Sequence, residues 1–414
     1  MARLLIHTLV FAPDGVSTAY LMTDLATSLA DLGHDVTVLT TTPHYNLEES
    51  AMNAYAMTPG AGGTRRGKAA GVDVWHVPIA LKGNRIGSRK FDYIKFHLRC
   101  MWLALVHLPR FDIVLAPSPP LTMGLLAPLI GLRSGAPAIY NLQELYPDFA
   151  VNNGLISNKL FIRMMELLER LVYRTNARIV PISDQFARTL RTRGVPSNKI
   201  TMIPNFVDTS FYRPLPRQNE FAAEHGLLEE FVVLYAGNIG VSQDWESFLY
   251  AAKALSSRPI CFAVSGDGVT AEWLRAETAK RGLTNVKFFG YLPRDITPLL
   301  YASSDVGTIP MKEGSATDTF PSKVYTLFAC GKPPVVSADR NSELERVIQS
   351  SGCGSVVPPN DPPAFAAAIL AAFERRESLP AEGARGRAYV ERSYSREAVA
   401  SRYHDLIREL CPQS

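Results

Sequence analysis

Short apolar runs alternate with amphipathic stretches along this chain, in the rhythm of parallel strands joined by helices. Leu4 to Phe11 is an apolar-rich run, Ala12 to Thr18 reads as a turn, and Ala19 to Leu32 carries apolar residues at helical spacing before Gly33. His34 to Thr40 follows as the next strand and completes a βαβ unit of the doubly wound kind. Val72 to Pro78, Phe111 to Pro117, Ala138 to Leu142 and Ala177 to Ser183 repeat the pattern. Strands this short and apolar, separated by helical segments, predict a parallel sheet covered on both faces.

The prolines of Pro204 to Pro216 break the rhythm and predict a crossover between domains. A second series then begins at Phe231 to Ala236. It continues through Ile260 to Ser265, Val286 to Gly290, Val306 to Pro310, Pro334 to Ser337 and Gly354 to Val357, and a closing helix is predicted over Ala398 to Leu410. The pattern predicts an α/β chain of two Rossmann-like domains, 1–205 and 206–390, followed by a closing segment, 391–414.

Composition sharpens this only at the margins. A chain of 414 residues exceeds one typical core. Its 47% hydrophobic and 20% charged residues are those of an ordinary globular protein, and a net charge of +4 is too small to argue for a nucleic-acid partner. Five scattered cysteines without metal-ligand spacing point to reduced thiols in the cytoplasm. The opening residues read as strand and loop rather than a signal peptide, and no apolar run is long enough to span a bilayer. No cluster has metal-site spacing, so neither a metal nor a cofactor is expected.

The chemistry concentrates between Asp318 and Val336, which reads as a loop, a helix and a strand. Pro321 suits a first helical turn, Ser322 and Lys323 follow where free backbone N–H groups attract anions, and Gly331 with Pro333-Pro334 ends the helix. A lysine beside such a helix start suits a diphosphate. Three further turns follow strands: Pro13-Asp14-Gly15, Ala236-Gly237-Asn238-Ile239-Gly240 and Gly266-Asp267-Gly268. Glycines there let a ligand approach the backbone, although each also reads as a plain turn, and Asp267 equally as a cap of the next helix. Tyr140 to Asp148 leaves a strand with two carboxylates, Glu144 and Asp148, placed to take a proton or orient a hydroxyl; Asp148 equally reads as a helix cap.

Together these segments resemble the retaining GT-B glycosyltransferases of the GT4 type, and within them the WbuB/WcaI-like bacterial subgroup that builds surface polysaccharides. That subgroup shares Pro321-Ser322-Lys323, the Gly237-Asn238-Ile239-Gly240 turn with Gln243 after it, and a run like Glu144-Leu145-Tyr146-Pro147-Asp148. The resemblance covers essentially the whole chain. It implies two facing domains, with the nucleotide-sugar, UDP-sugar foremost, on the second domain and the acceptor on the first. It implies that the closing helix returns to the first domain. Donor contacts would fall to Gly15, Gly237, Asn238, Gln243, Gly266, Asp267, Phe289, Gly290, Phe320, Pro321, Ser322, Lys323 and Thr326, and catalysis to Glu144, Asp148 and Asp318. Phe289 equally reads as part of an aromatic core. The chain departs from the broader family in five places, two of them Asn238 and Gln243, which stand where many members have an arginine and a lysine that clamp the diphosphate. Asp318 and Thr326 stand where two glutamates are usual, and Gln143 where a histidine is. Thr326 removes the carboxylate that would hold the ribose.

Lys82 to Arg110 is the other unusual segment. Arg85, Arg89, Lys90, Lys95 and Arg99 interleave with Phe91, Tyr93 and Trp102. Alone it reads as a core helix with a solvated basic face. With the family, whose acceptors are often polyprenyl-linked, it reads as contact with the inner surface of the cytoplasmic membrane. Lys159 to Arg174 mixes arginines and apolar residues in a similar way. Two rival readings stand beside the transferase: a GT-B enzyme of the UDP-sugar 2-epimerase type, and a non-catalytic partner favoured by Thr326 and Gln143.

Overall fold

The computed structural model describes residues 1–47, 52, 55–79, 86–152, 154, 156–315 and 320–412, with the backbone alone for 86–92. The chain divides into two compact units, Met1–Asn205 with Arg396–Ser414, and Phe206–Ser395.

The first unit holds strands β1 (Arg3–His7), β2 (Asp35–Thr41), β3 (Met57–Pro59), β4 (Arg65–Ala69), β5 (Val72–Val77), β6 (Ile113–Pro117), β7 (Ala138–Leu142) and β8 (Arg178–Pro181). Their order is β3-β4-β5-β2-β1-β6-β7-β8. From β5 to β8 all neighbours are parallel. β3 and β4 are antiparallel, so the sheet is mixed rather than parallel throughout. The pattern missed them because β4 is Arg65-Arg66-Gly67-Lys68-Ala69, a charged, mostly exposed strand near the sheet edge. Its charged side chains are mostly exposed, so the strand gives no apolar signal to a hydrophobic reading. β1 also stops short of the expected Phe11. Thr8 still donates to the Leu39 carbonyl, and the chain then turns so that Asp14 N–H reaches the Phe11 carbonyl.

Leu5, Leu39, Val114 and Ala116 pack against Phe96, Cys100 and Leu103 of the helix Ile86–Val106. Each leucine, valine or phenylalanine among them contributes about 1.5–3 kcal/mol on full burial. The closing helix Arg396–Leu410 belongs to this unit, where it packs on the helix Ser17–Asp31.

The second unit holds β9 (Phe231–Ala236), β10 (Ile260–Ser265), β11 (Val286–Gly290), β12 (Val306–Pro310), β13 (Pro334–Ser337) and β14 (Ser355–Val357). They form a fully parallel sheet in the order β11-β10-β9-β12-β13-β14. Side-chain alternation along β9 builds a core on each face. Phe231, Val233 and Tyr235 pack with Trp245, Phe248 and Phe365, while Val232 and Leu234 pack with Val324, Leu327 and Phe328. Strand order reverses between β1 and β6 in one sheet and between β9 and β12 in the other. At such a point the outgoing loops diverge and leave a crevice beyond the strand C-termini.

Candidate functional site

In the second unit, three turns at the C-terminal ends of neighbouring strands are laced together through the backbone. Gly237 N–H donates to the Ser265 carbonyl at 2.9 Å, Gly266 N–H to the Gly290 carbonyl at 2.7 Å, and Ile239 N–H to the Asp267 carbonyl at 2.8 Å. Glycine is required at Gly266. Its φ is +129°, and a Cβ there would lie 1.9 Å from the Gly237 carbonyl oxygen. The Gln243 side chain holds the first turn by accepting from Gly240 N–H at 2.9 Å. Gly237 and Asn238 stay exposed at the turn's tip.

Lys323 meets this turn from the helix Lys323–Ala329. Its Nζ lies 3.8 Å from the centroid of the Tyr235 ring and 3.3 Å from where a Gly237 Cβ would sit. Among the described residues no carboxylate pairs with it. The side chain keeps some contact with solvent, yet the atoms packed around its ammonium strip most of its water. That burial pushes its pKa down to about 7. The aromatic face partly offsets the lost hydration. The result is a cation with unused hydrogen-bonding capacity beside exposed backbone.

The other expected donor residues divide. Pro321 precedes the helix rather than opening it, and Ser322 is exposed at its start. Phe320 packs on Tyr325, and Thr326 is half-buried one turn into the helix. Gly290 accepts from Gly266 N–H and from Ser265 Oγ. Phe289 sits against Phe221 and His225, the aromatic-core alternative for that residue. Asp267 is exposed and does not cap the next helix, which begins at Ala271 after Thr270. Asp318 lies outside the described residues.

In the first unit, the turn after β7 carries Glu144. Burial pushes its carboxyl above the ordinary carboxylate range, and among the described residues it has no hydrogen-bond or ion-pair partner. The turn is fixed by a chain of neutral groups. Asn141 Nδ2 donates to Tyr403 Oη at 2.9 Å, Gln143 Nε2 to Asn141 Oδ1 at 2.5 Å, and Asn205 Nδ2 to Gln143 Oε1 at 2.7 Å. Gln143 N–H also donates to Ser118 Oγ at 2.9 Å. Asp148, by contrast, is the first residue of the short helix Asp148–Asn152 and is ion-paired to Arg193, which also grips Glu169. Glu169 in turn accepts from Tyr173 Oη at 2.7 Å. These residues line a cavity of about 650 Å³. Asp148 is engaged by a guanidinium, whereas Glu144 has no such partner among the described residues, and this separates the two carboxylates.

Gly15 is buried, and its N–H donates to the Tyr45 carbonyl. The turn's organiser is Asp14, whose Oδ1 accepts from the N–H groups of His44 and Tyr45 at 2.7 Å each. Pattern reading passed over Asp14, Asn141 and Tyr403. Asn141 had a signal, a polar residue inside the apolar run of β7. Of the basic segment, Arg85 lies outside the described residues, as do the side chains of Arg89, Lys90 and Phe91. Tyr93, Lys95, Arg99 and Trp102 are exposed on the helix Ile86–Val106. Among the described residues no helix is long and apolar enough to cross a membrane, and no group of three or more His, Cys, Asp or Glu could hold a metal ion.

Comparison with known proteins agrees with this architecture. Residues 18–205 match the glycosyl transferase 4-like domain, and residues 230–375 match the glycosyl transferases group 1 family. The chain is 24% identical over 415 aligned residues to WcaI of Escherichia coli (strain K12), named as a colanic acid biosynthesis glycosyl transferase, covering 98% of this chain and 100% of that one. Among solved structures it resembles sucrose-phosphate synthase from Thermosynechococcus elongatus (TM-score 0.73, 16% identity, 100% of each chain). It also resembles Anabaena HepE in complex with UDP and glucose (TM-score 0.72, 14% identity, 98% of this chain and 99% of that one). With two family domains in series and this fold in each unit, the chain belongs to the GT4-type glycosyltransferases of the GT-B fold.

Proposed function

We propose that the chain transfers a sugar, with retention of anomeric configuration, from a nucleotide-diphosphate donor of the UDP-sugar class. The acceptor is a polyprenyl-diphosphate-linked saccharide at the inner face of the cytoplasmic membrane, and the product enters surface polysaccharide. The second unit takes the donor and the first unit the acceptor. Lys323 and Ser322, with the exposed tip of the turn at Gly237 and Asn238, hold the diphosphate and stabilise it as it leaves. Asp318 holds the sugar. Glu144 orients the acceptor hydroxyl and takes its proton as the hydroxyl attacks the anomeric carbon from the face the diphosphate leaves.

The observation that carries this reading is the desolvated Lys323 ammonium, which lies against the Gly237 turn and has no carboxylate partner among the described residues. The UDP and glucose bound by HepE support the donor class, and the name of WcaI supports the polysaccharide setting. The test is thermal stabilisation of the purified protein by UDP, GDP, CMP and dTDP. One diphosphate should stabilise selectively and Lys323→Ala should abolish the shift, since a ligand that binds only the folded form raises its stability. No shift with any nucleotide would favour the non-catalytic partner.

A further inference from the structure

The helix Lys159–Thr175 is turned inside out. Its inward face carries Glu169, Val172 and Tyr173, with Glu169 held by Arg193 and Tyr173. Its outward face carries leucines and a methionine. Leu160 is 78% exposed, Met164 53%, Leu167 62% and Leu171 45%. The spacing i, i+4, i+7, i+11 sets these four in one narrow stripe along the helix. Phe161, also exposed, lies at one edge. Arg163, Arg170 and Arg174, all exposed, lie at the other with Lys159. The outer acid Glu166 is 3.9 Å from Arg170.

A stripe of large apolar side chains in water is unfavourable unless something covers it. The stripe does not stand alone. The helix Leu121–Gly131 packs against this helix and also against Ile86–Val106. Leu129 and Leu132 are exposed near its C-terminal end, and Ile94, Leu98 and Trp102 are exposed on Ile86–Val106. The same side of the first unit therefore offers apolar side chains from three neighbouring helices.

We propose that the helix Lys159–Thr175 is a membrane-docking helix that lies flat on an anionic bilayer, its leucine stripe inserted among the acyl chains. The row of cations beside the stripe selects this occupant. A helix with an apolar stripe bordered by arginines fits an interface in which the stripe sinks and the guanidinium groups reach the phosphates. The inference deepens the function proposed above by naming the surface that meets the membrane, and rests on that reading for the reason the protein would need one.

The test is flotation of the full chain with vesicles of phosphatidylcholine containing phosphatidylglycerol, against phosphatidylcholine alone. The protein should float with the anionic vesicles, and added salt should release it. L160S, L167S and L171S combined should lower the bound-to-free ratio roughly tenfold or more. Because all three side chains are exposed, the variant should keep the unfolding midpoint and the nucleotide stabilisation of the wild type. R163Q with R174Q should weaken binding to anionic vesicles severalfold and leave the neutral background unchanged. Failure of the wild type to float, or equal flotation of the leucine variant, would overturn the proposal. So would light scattering that finds a dimer abolished by the same three substitutions, since the stripe would then belong to a second copy. Flotation needs no nucleotide, so a chain that floats but binds none retains this inference and loses the donor reading.

Discussion

The two units end their sheets in opposite chemistry. The strand ends of the second unit meet in glycine turns and exposed backbone, with Lys323 desolvated beside them and Asp267 exposed to solvent. Those of the first are built from carboxylates and amides, with Asp14 organising one loop and Glu144 half-buried in another. Both belong to the same class of doubly wound sheet, so the difference lies in the loops rather than the fold. A backbone-rich edge with a desolvated lysine suits an anion, whereas a desolvated carboxylate with no partner among the described residues suits a proton. The division proposed above, donor on the second unit and acceptor on the first, follows the charge each set of loops tolerates.

The sharpest way to break the comparison is Glu144→Gln. Transfer should fall about 10²–10⁴-fold in kcat, the usual worth of a general base, with the KM for donor unchanged. Steady-state kinetics over donor and acceptor check this, and a loss confined to KM would move Glu144 out of the chemistry. In the wild type the acidic limb of the pH–rate profile should lie above the ordinary carboxylate range, because the group acts ionised and burial raises its pKa. Next in size, Gly266→Ala should destabilise the second unit by about 3 kcal/mol, through overpacking against the Gly237 carbonyl and a left-handed backbone. Urea denaturation followed by tryptophan fluorescence measures it.

Lys323→Ala should weaken nucleotide-diphosphate binding by roughly 10–100-fold, the scale of a charged hydrogen bond, as read by calorimetry. Its pH dependence has a defined sign. With a folded pKa near 7 against 10.5, the unfolded chain binds more protons between those values, so this group's contribution makes the free protein more stable as pH rises through that window. A bound diphosphate raises the lysine's pKa, so affinity should fall as pH climbs above about 7, and the variant should lose that slope. The smallest effect belongs to Tyr403→Phe. Removing the acceptor for Asn141 should cost about 1 kcal/mol and shift kcat more than donor affinity, because the network fixes the Glu144 turn rather than the diphosphate side.

Much of the second unit was legible in the sequence because its strands are buried on both faces: Phe231–Ala236 and Ile260–Ser265 are continuous apolar runs between turns. β4 was not, because its charged, mostly exposed side chains carry no apolar signal. The Gly237 and Gly266 turns could be read from glycine after a strand, but the approach of Lys323 to Tyr235 joins residues 88 positions apart and is set by packing. The same limit hid the difference between Glu144 and Asp148, two carboxylates on one short run whose roles part only when Arg193 arrives from another helix. The sequence showed arginines mixed with apolar residues over Lys159 to Arg174 but carried no sign of which face the rest of the unit would cover.

The closing helix also dictates an order of events during synthesis. Residues 206–395 form a continuous segment that can fold as it emerges, whereas the first unit lacks Arg396–Leu410 until the second has been made. At ribosomal speed the 191 residues from Asn205 to Arg396 take on the order of ten to forty seconds. Throughout that interval the surface destined for Val399, Tyr403 and Ile407 stays uncovered and Asn141 lacks its tyrosine. The N-terminal half is translated first but completed last, so a chain stalled before residue 396 holds an unfinished first unit and a second unit already able to fold.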